Sequence, residues 1–231
     1  MVDPVMVNNC VICTGFCSLK GNLSVQELEL INKNKHSLNY REGEIVFKQG
    51  SPITHVISFK KGLGKAYIEG LDGKDLILSI IKPNALLSGP GAFIDNKHYF
   101  TMRVLTDSVA CFLDINVFKN IVRTNPAFAE FYIQYISQRS IDVYNKLITL
   151  SQKHITGRIA EVILYLANYI FEKDEFDMII SRKEFAEFTS TTKESVCRIL
   201  SDFKRDGFIH LEGNNLKIND FKALEMLSQK G

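Results

Sequence analysis

The apolar residues change period at Pro126, and this change constrains the fold more than any other feature of the 231-residue chain. Beyond it, Ala129, Ile133, Ile136, Ser140, Val143, Leu147 and Leu150 recur at alternating spacings of four and three residues. On an α-helix that spacing is a single a/d seam. It predicts one long helix over 127–152 and a partner helix against it, which a second copy of the chain would supply. Phe128, Phe131 and Tyr135 form another apolar face, which is expected to pack on the domain before the helix. Ala129 and Ser140 bury little area, so the pairing is expected to be weak enough to be regulated.

Before Pro126 the pattern is β. "EIVFKQ", "HVISFKKG", "GKAYIEG" and "KDLILSII" are short apolar-rich runs punctuated by Gly50, Gly62, Gly64, Asp72-Gly73 and Pro83-Asn84. Asp-Gly between two such runs is a hairpin signal, and several in series predict an antiparallel roll. After about residue 155 come "ITGRIAEVILYLANYIF", "SRKEFAEF", "TTKESVCRILSDFKRDG" and "FIHLEGNNLKIN". The last contains two alternating runs joined at Gly213-Asn214-Asn215, residues that accept the backbone of a tight turn. Helix, helix, helix, hairpin is the order of a winged helix-turn-helix. The expected class is α+β: a cysteine-rich segment (1–22), a β-roll (23–126), a dimerisation helix (127–152) and a winged helix-turn-helix (153–231).

Composition narrows the functions. Lys and Arg total 28 against 26 Asp and Glu, so any nucleic-acid surface has to be local rather than a property of the whole chain. The start, "MVDPVMVNNC", lacks a basic region followed by an apolar core, and no stretch approaches a membrane span. A cytoplasmic protein without membrane contact is expected. In a reducing compartment the five cysteines point to metal or redox chemistry rather than a disulfide framework. No Ser/His/Asp set, Walker loop, dinucleotide fingerprint or His-Glu-x-x-His stands out, so an enzyme is not expected.

Thr191-x-x-Glu194 reads as a capping box that opens the third helix of this unit. That reading leaves Arg198 unexplained, one turn later on the same face, with Lys193, Lys204 and Arg205 near it. Roll, long helix and winged helix-turn-helix, together with "TTKESVCRILSDFKRDGFI", resemble the Crp/Fnr family of bacterial transcription regulators across essentially the whole chain. The resemblance makes the third helix the recognition helix. Its Glu-x-x-x-Arg core, Glu194 and Arg198, is expected to read a TGA core in the major groove. The chemistry suits the task, since Arg pairs bidentately with guanine and Glu accepts from the cytosine amino group. Cys197 stands where family members carry Ser or Gly, which leaves the outer bases undetermined. Thr189, Ser190, Thr191, Thr192 and Lys193 are placed to contact phosphates, or are solvated turn residues. A homodimer would bring two such helices to an inverted repeat in double-stranded DNA, and the family implies RNA polymerase as a further partner.

Cyclic-AMP-binding members carry a phosphate cassette in the roll. In the matching stretch, "LLSGPGAFIDNKHYFTMRV", Pro90 stands at about the place of the ribose-binding Glu, and Tyr99-Phe100 or Phe100-Thr101 replaces the phosphate-binding pair. Arg103 aligns with the strand that follows. Cyclic AMP is therefore not the expected ligand. The oxygen-responsive FNR branch holds a 4Fe-4S cluster with three N-terminal cysteines and one at the end of the roll. Cys10, Cys13 and Cys17, spaced C-x2-C-x3-C, and Cys111 in "DSVACFLDINVF" match that layout. The tight spacing departs from the familiar enteric form. The alternatives are structural zinc on the same thiolates, a thiol switch using Cys10 and Cys13, heme on His98, His55 or Met102, or an incidental cluster of cysteines with a small molecule sensed in the roll. Cys111 alone also reads as a buried small hydrophobe. An iron–sulfur electron carrier is the alternative from another class.

Overall fold

The computed structural model describes residues 22–229; Cys10, Cys13 and Cys17 lie outside the described residues. The chain forms two compact units that divide between Ile141 and Asp142, with Gly70–Ser79 grouped with the second.

The first unit opens with α1 (Val25–Lys33). Ser24 caps it, and Glu27 completes a capping box by accepting the Ser24 N–H at 2.7 Å. The roll follows as β1 (Lys35–Tyr40), β2 (Ile45–Phe47), β3 (His55–Lys61), β4 (Gly64–Ile68), β5 (Leu76–Ile81), β6 (Leu86–Leu87), β7 (Thr101–Val104) and β8 (Ser108–Asp114). One sheet runs β1-β8-β3-β6, and in the other β7 pairs antiparallel with β2 and β4. Asp72 and Gly73 both take positive φ, at 55° and 70°, as an Asp-Gly turn requires.

Strand alternation divides the apolar residues between two cores. On β3 and β8, Ile57, Phe59, Ala110 and Phe112 join Phe47, Met102 and Val104 in one cluster. Val56, Cys111 and Leu113 point the other way and join Ile31, Phe118, Ile121, Phe128 and Tyr132 from the helices.

Asp114 caps α2 (Ile115–Thr124), its carboxylate accepting the N–H groups of Asn116 and Val117. The long helix is α3 (Pro126–Gln152), the helix predicted from the seam. Pro126 opens it, where a missing N–H costs nothing, and the Asn125 side-chain carbonyl accepts the Phe128 N–H at 3.0 Å. Phe128 and Tyr132 are buried on the roll, with Phe131 and Tyr135 packed beside them. Sequence reasoning placed Phe128, Phe131 and Tyr135 on this face and missed Tyr132, whose hydroxyl meets that of buried Ser88 at 2.8 Å.

The second unit holds α4 (Ile155–Tyr165), a π turn (Leu166–Phe171), β9 (Glu175–Asp177), α5 (Arg182–Thr189), α6 (Lys193–Arg205), β10 (Ile209–Glu212), β11 (Asn215–Ile218) and α7 (Phe221–Gln229). The wing is the predicted hairpin, β10-β11, with β9 added to it as a third strand. Its turn is also one residue shorter, because Asn215 pairs with Glu212 and leaves only Gly213 and Asn214 between the strands.

Candidate nucleic-acid interface and sensor site

Helix α6 buries Val196, Ile199, Leu200 and Phe203, a stripe with helical period that fixes which face turns outward. At about 100° per residue, Glu194, Cys197, Arg198 and Ser201 share the opposite face. Glu194, Cys197 and Arg198 are all exposed there, as the predicted reading face requires. Hydrogen bonds from its own backbone N–H and from the Thr192 hydroxyl hold the Glu194 carboxyl below its ordinary value. It is an ionised acceptor, the state that takes a hydrogen bond from a base amino group.

The start of α6 corrects the predicted cap. Thr192, with extended backbone, is the N-cap, and its hydroxyl accepts the Ser195 N–H at 3.2 Å. Thr191 precedes the cap, and Glu194 falls at the second helical position, where a capping box cannot close. At its other end α6 finishes in a Schellman motif. Gly207, at φ 80°, donates to Lys204 O and Phe208 to Phe203 O, and the Phe203 and Phe208 rings lie 6.0 Å apart. Any side chain at 207 would strain this left-handed position.

The predicted phosphate-contacting residues separate into two groups. Thr189 is buried and its hydroxyl donates to the Phe185 and Ala186 carbonyls, so it is a structural residue. Ser190, Thr192 and Lys193 are exposed and Thr191 is half-buried, all at the N-terminal end of α6 where backbone N–H groups favour anions. Sequence reasoning did not single out Lys146 or Arg158, whose side chains donate to the carbonyls of Phe188 and Thr189 just before this end.

On α3, Ile133, Ile136, Val143 and Leu147 are exposed by 59%, 39%, 46% and 58%. Ser140 is exposed as well, and Ala129 and Leu150 are half-buried. The seam is thus an open apolar stripe, flanked by exposed Ile141, Tyr144 and Ile148.

Cys111 lies on β8 between Ser37 of β1 and Ser58 of β3. It is fully buried, in the cluster that packs α1, α2 and α3 on the roll. Leu23, two residues into the described chain, packs on that same cluster. One residue earlier, the Asn22 carbonyl accepts the Asn125 side-chain amide at 2.8 Å. That amide also reaches the Glu27 carboxylate at 3.0 and 3.1 Å. Asn125 therefore joins the beginning of the described chain to the beginning of the long helix. Long-range pairing of this kind leaves no local sequence signal. Among the described residues no group of three or more His, Cys, Asp or Glu side chains is arranged to hold a metal ion.

Inside the roll, the replaced cassette residues have other partners. Pro90 opens a 3-10 turn (Pro90–Phe93). The Tyr99 hydroxyl donates to Asp95 at 3.0 Å, and Thr101 donates to Glu69 at 2.6 Å. Arg103 sits on β7, opposite Ile45 and Lys65. His55, His98, Phe47, Ile57 and Phe112 line a cavity of about 450 Å3. His98 stacks on Phe47 at 3.7 Å and its Nδ1 has no hydrogen-bond partner. Burial pushes its ring down to about 4, so it is neutral at pH 7. Met102 is in the roll core.

Residues 37–125 match the cyclic nucleotide-binding domain family and residues 157–227 the Crp-like helix-turn-helix domain family. The chain belongs to the Crp/Fnr family. Like other members of this family it is a DNA-binding transcription regulator, and the Crp/Fnr helix-turn-helix is the unit built by α5 and α6. Relatives include an anaerobic regulatory protein of Pasteurella multocida, 23% identical over 97% of this chain and 85% of its own. Another is a CRP-like cAMP-activated global transcriptional regulator of Mycobacterium tuberculosis, 22% identical over 84% of this chain and 88% of its own. The structure of FixK2 from Bradyrhizobium japonicum superposes with a TM-score of 0.78 at 16% identity, covering 85% of this chain and 98% of that one. No helix among the described residues is long and apolar enough to cross a membrane.

Proposed function

We propose that this Crp/Fnr regulator is a cytoplasmic homodimer that senses oxygen or nitric oxide through a 4Fe-4S cluster, held by Cys10, Cys13, Cys17 and Cys111, and reads an inverted repeat with a TGA-type core to control RNA polymerase. The observation that carries the reading is the placement of Leu23 on the cluster that buries Cys111, beside the Asn22–Asn125 hydrogen bond. Cys17 stands six positions before Leu23, a reach of about 20 Å when extended, so the N-terminal thiolates are close enough in sequence to meet Cys111. The surroundings of Cys111, apolar side chains with Ser37 and Ser58 on the flanking strands, suit a thiolate-ligated inorganic centre screened from water. A cluster bound there would supply an oxidant-sensitive link between the N-terminal segment and β8.

The chain's own residues carry that link onward. With the segment held, Asn125 keeps one hydrogen bond on Asn22 and another on the Phe128 N–H, which fixes the first turn of α3. A fixed α3 presents the Ile133 to Leu147 stripe to a second copy, and paired helices hold two α6 reading faces one turn of DNA apart. Loss of the N-terminal anchor loosens the first turn and the seam, so both half-sites are no longer engaged together. A cyclic nucleotide is not the signal in this reading, because Pro90 and Tyr99-Phe100 offer neither carboxylate nor guanidinium. A second reading, a small molecule in the roll, rests on the cavity beside His98, whose Nδ1 has no hydrogen-bond partner.

Cys111→Ala and Cys13→Ala are each expected to abolish oxygen-dependent binding to a TGA-type inverted repeat while the circular dichroism of the chain is kept. The check is fluorescence anisotropy on protein purified without oxygen, before and after air. Unchanged regulation in either variant contradicts the ligand assignment.

A further inference from the structure

The backbone carbonyls at the end of α5, just before α6, are occupied from outside. Helix α5 ends at Thr189, and the last carbonyls of any helix lack intrahelical donors. Lys146 of α3 donates to Phe188 O at 2.6 Å, and its ammonium stands 4.0 Å from the Phe188 ring centroid. Arg158 of α4 donates to Thr189 O at 2.9 Å and Ser190 O at 3.4 Å. Two cations at a helix C-terminus also meet the negative end of its dipole. Ser190, the next residue, has φ 51°, a left-handed backbone for a residue that is not glycine, so the surroundings have to hold it.

Position 146 is costly for a charge. Burial pushes the Lys146 ammonium down to about 8; Glu161 opposes the shift and Arg158 adds to it. Glu161 is itself held by the Thr149 hydroxyl of α3 at 3.2 Å and by the ammonium of Lys153, the residue after α3, at 3.0 Å. Lys146 and Thr149 therefore share one face of α3 and, with Lys153 just past its end, grip α4 and the end of α5. At about 100° per residue this face lies about 90° around the helix from Val143, Leu147 and Leu150. The seam and the grip are adjacent faces of the same rigid turns.

We infer that Lys146, supported by Arg158, is a positioning residue that locks the recognition helix to the dimerisation helix and thereby sets the half-site spacing that the protein accepts. The inference rests on the homodimer reading above. Its chemistry is specific. The lysine reaches a backbone carbonyl in the last turn of α5, just before α6, so it fixes where α6 starts without entering the α6 core of Val196, Ile199, Leu200 and Phe203. Removing the amine leaves each recognition helix folded and able to read one half-site, but frees its offset from the seam.

The test is binding of the full chain, purified without oxygen, to duplexes with one half-site and to inverted repeats whose spacer is changed by one or two base pairs. Lys146→Met is expected to reduce the preference for the best spacer by about tenfold, with half-site affinity and dimer mass unchanged. Lys146→Arg, which keeps the charge and reach, is expected to restore the preference. Lys146→Gln gives the same readout if the methionine variant lowers soluble yield. A variant series with the wild-type spacer preference overturns the inference, and so does an equal loss of half-site and full-site affinity. Wild-type protein that binds one half-site as tightly as any repeat would instead overturn the homodimer reading.

Discussion

Leu147→Glu is expected to lower affinity for the inverted repeat by about 10²- to 10⁴-fold, because it removes the advantage of engaging both half-sites at once. Leu147 is 58% exposed, so within one chain the glutamate meets water and the fold is kept. In a symmetric pair of helices a seam residue meets the same region of its partner. Two carboxylates would face each other across an apolar stripe, where charge is costly. Sedimentation velocity should show a monomer with unchanged circular dichroism, and half-site binding should remain. A stable dimer with full site affinity would place the interface elsewhere.

Arg198→Ala is expected to remove about 1–3 kcal/mol of discrimination at the guanine it reads, the worth of a bidentate arginine–guanine pair. Arg198 is exposed on the face opposite the buried stripe of α6, so stability should not change and any cofactor content should remain. Competition binding between TGA-containing and scrambled duplexes measures the effect. Residual affinity should be nearly independent of sequence, since the contacts left are to phosphates. Retained discrimination would contradict the assignment of Arg198 as the reading residue.

The parts legible in the sequence were those with a local period. The a/d spacing located α3 to within a residue, and the four-residue spacing of Glu194 and Arg198 put both on one face of α6. Short polar strands were harder. Lys35–Tyr40 reads "KHSLNY", and its Leu38 is 45% exposed, so β1 carries almost no alternation. Glu175–Asp177 buries only Phe176, which hid the third strand of the wing. The cap of α6 slipped by one residue because Thr191 and Thr192 are both good caps, and only the backbone decides between them. Contacts between distant residues left no trace at all. Asn125 reaches Asn22, and Lys146 reaches Phe188, each by a side chain whose partner is a backbone carbonyl of any residue type. Cys111 was legible as a strand residue and, taken alone, as a buried one, but which helices bury it depended on which way β8 faced.

The sensing reading depends on what the four cysteines hold. The direct measurement is iron and acid-labile sulfide content, with visible absorption, on the full chain purified without oxygen and then exposed to air. About four irons and four sulfides per chain, lost in air together with binding to the inverted repeat, are the expected result. Zinc, or no metal, in the protein kept from oxygen would contradict the iron–sulfur reading and turn attention to the cavity beside His98.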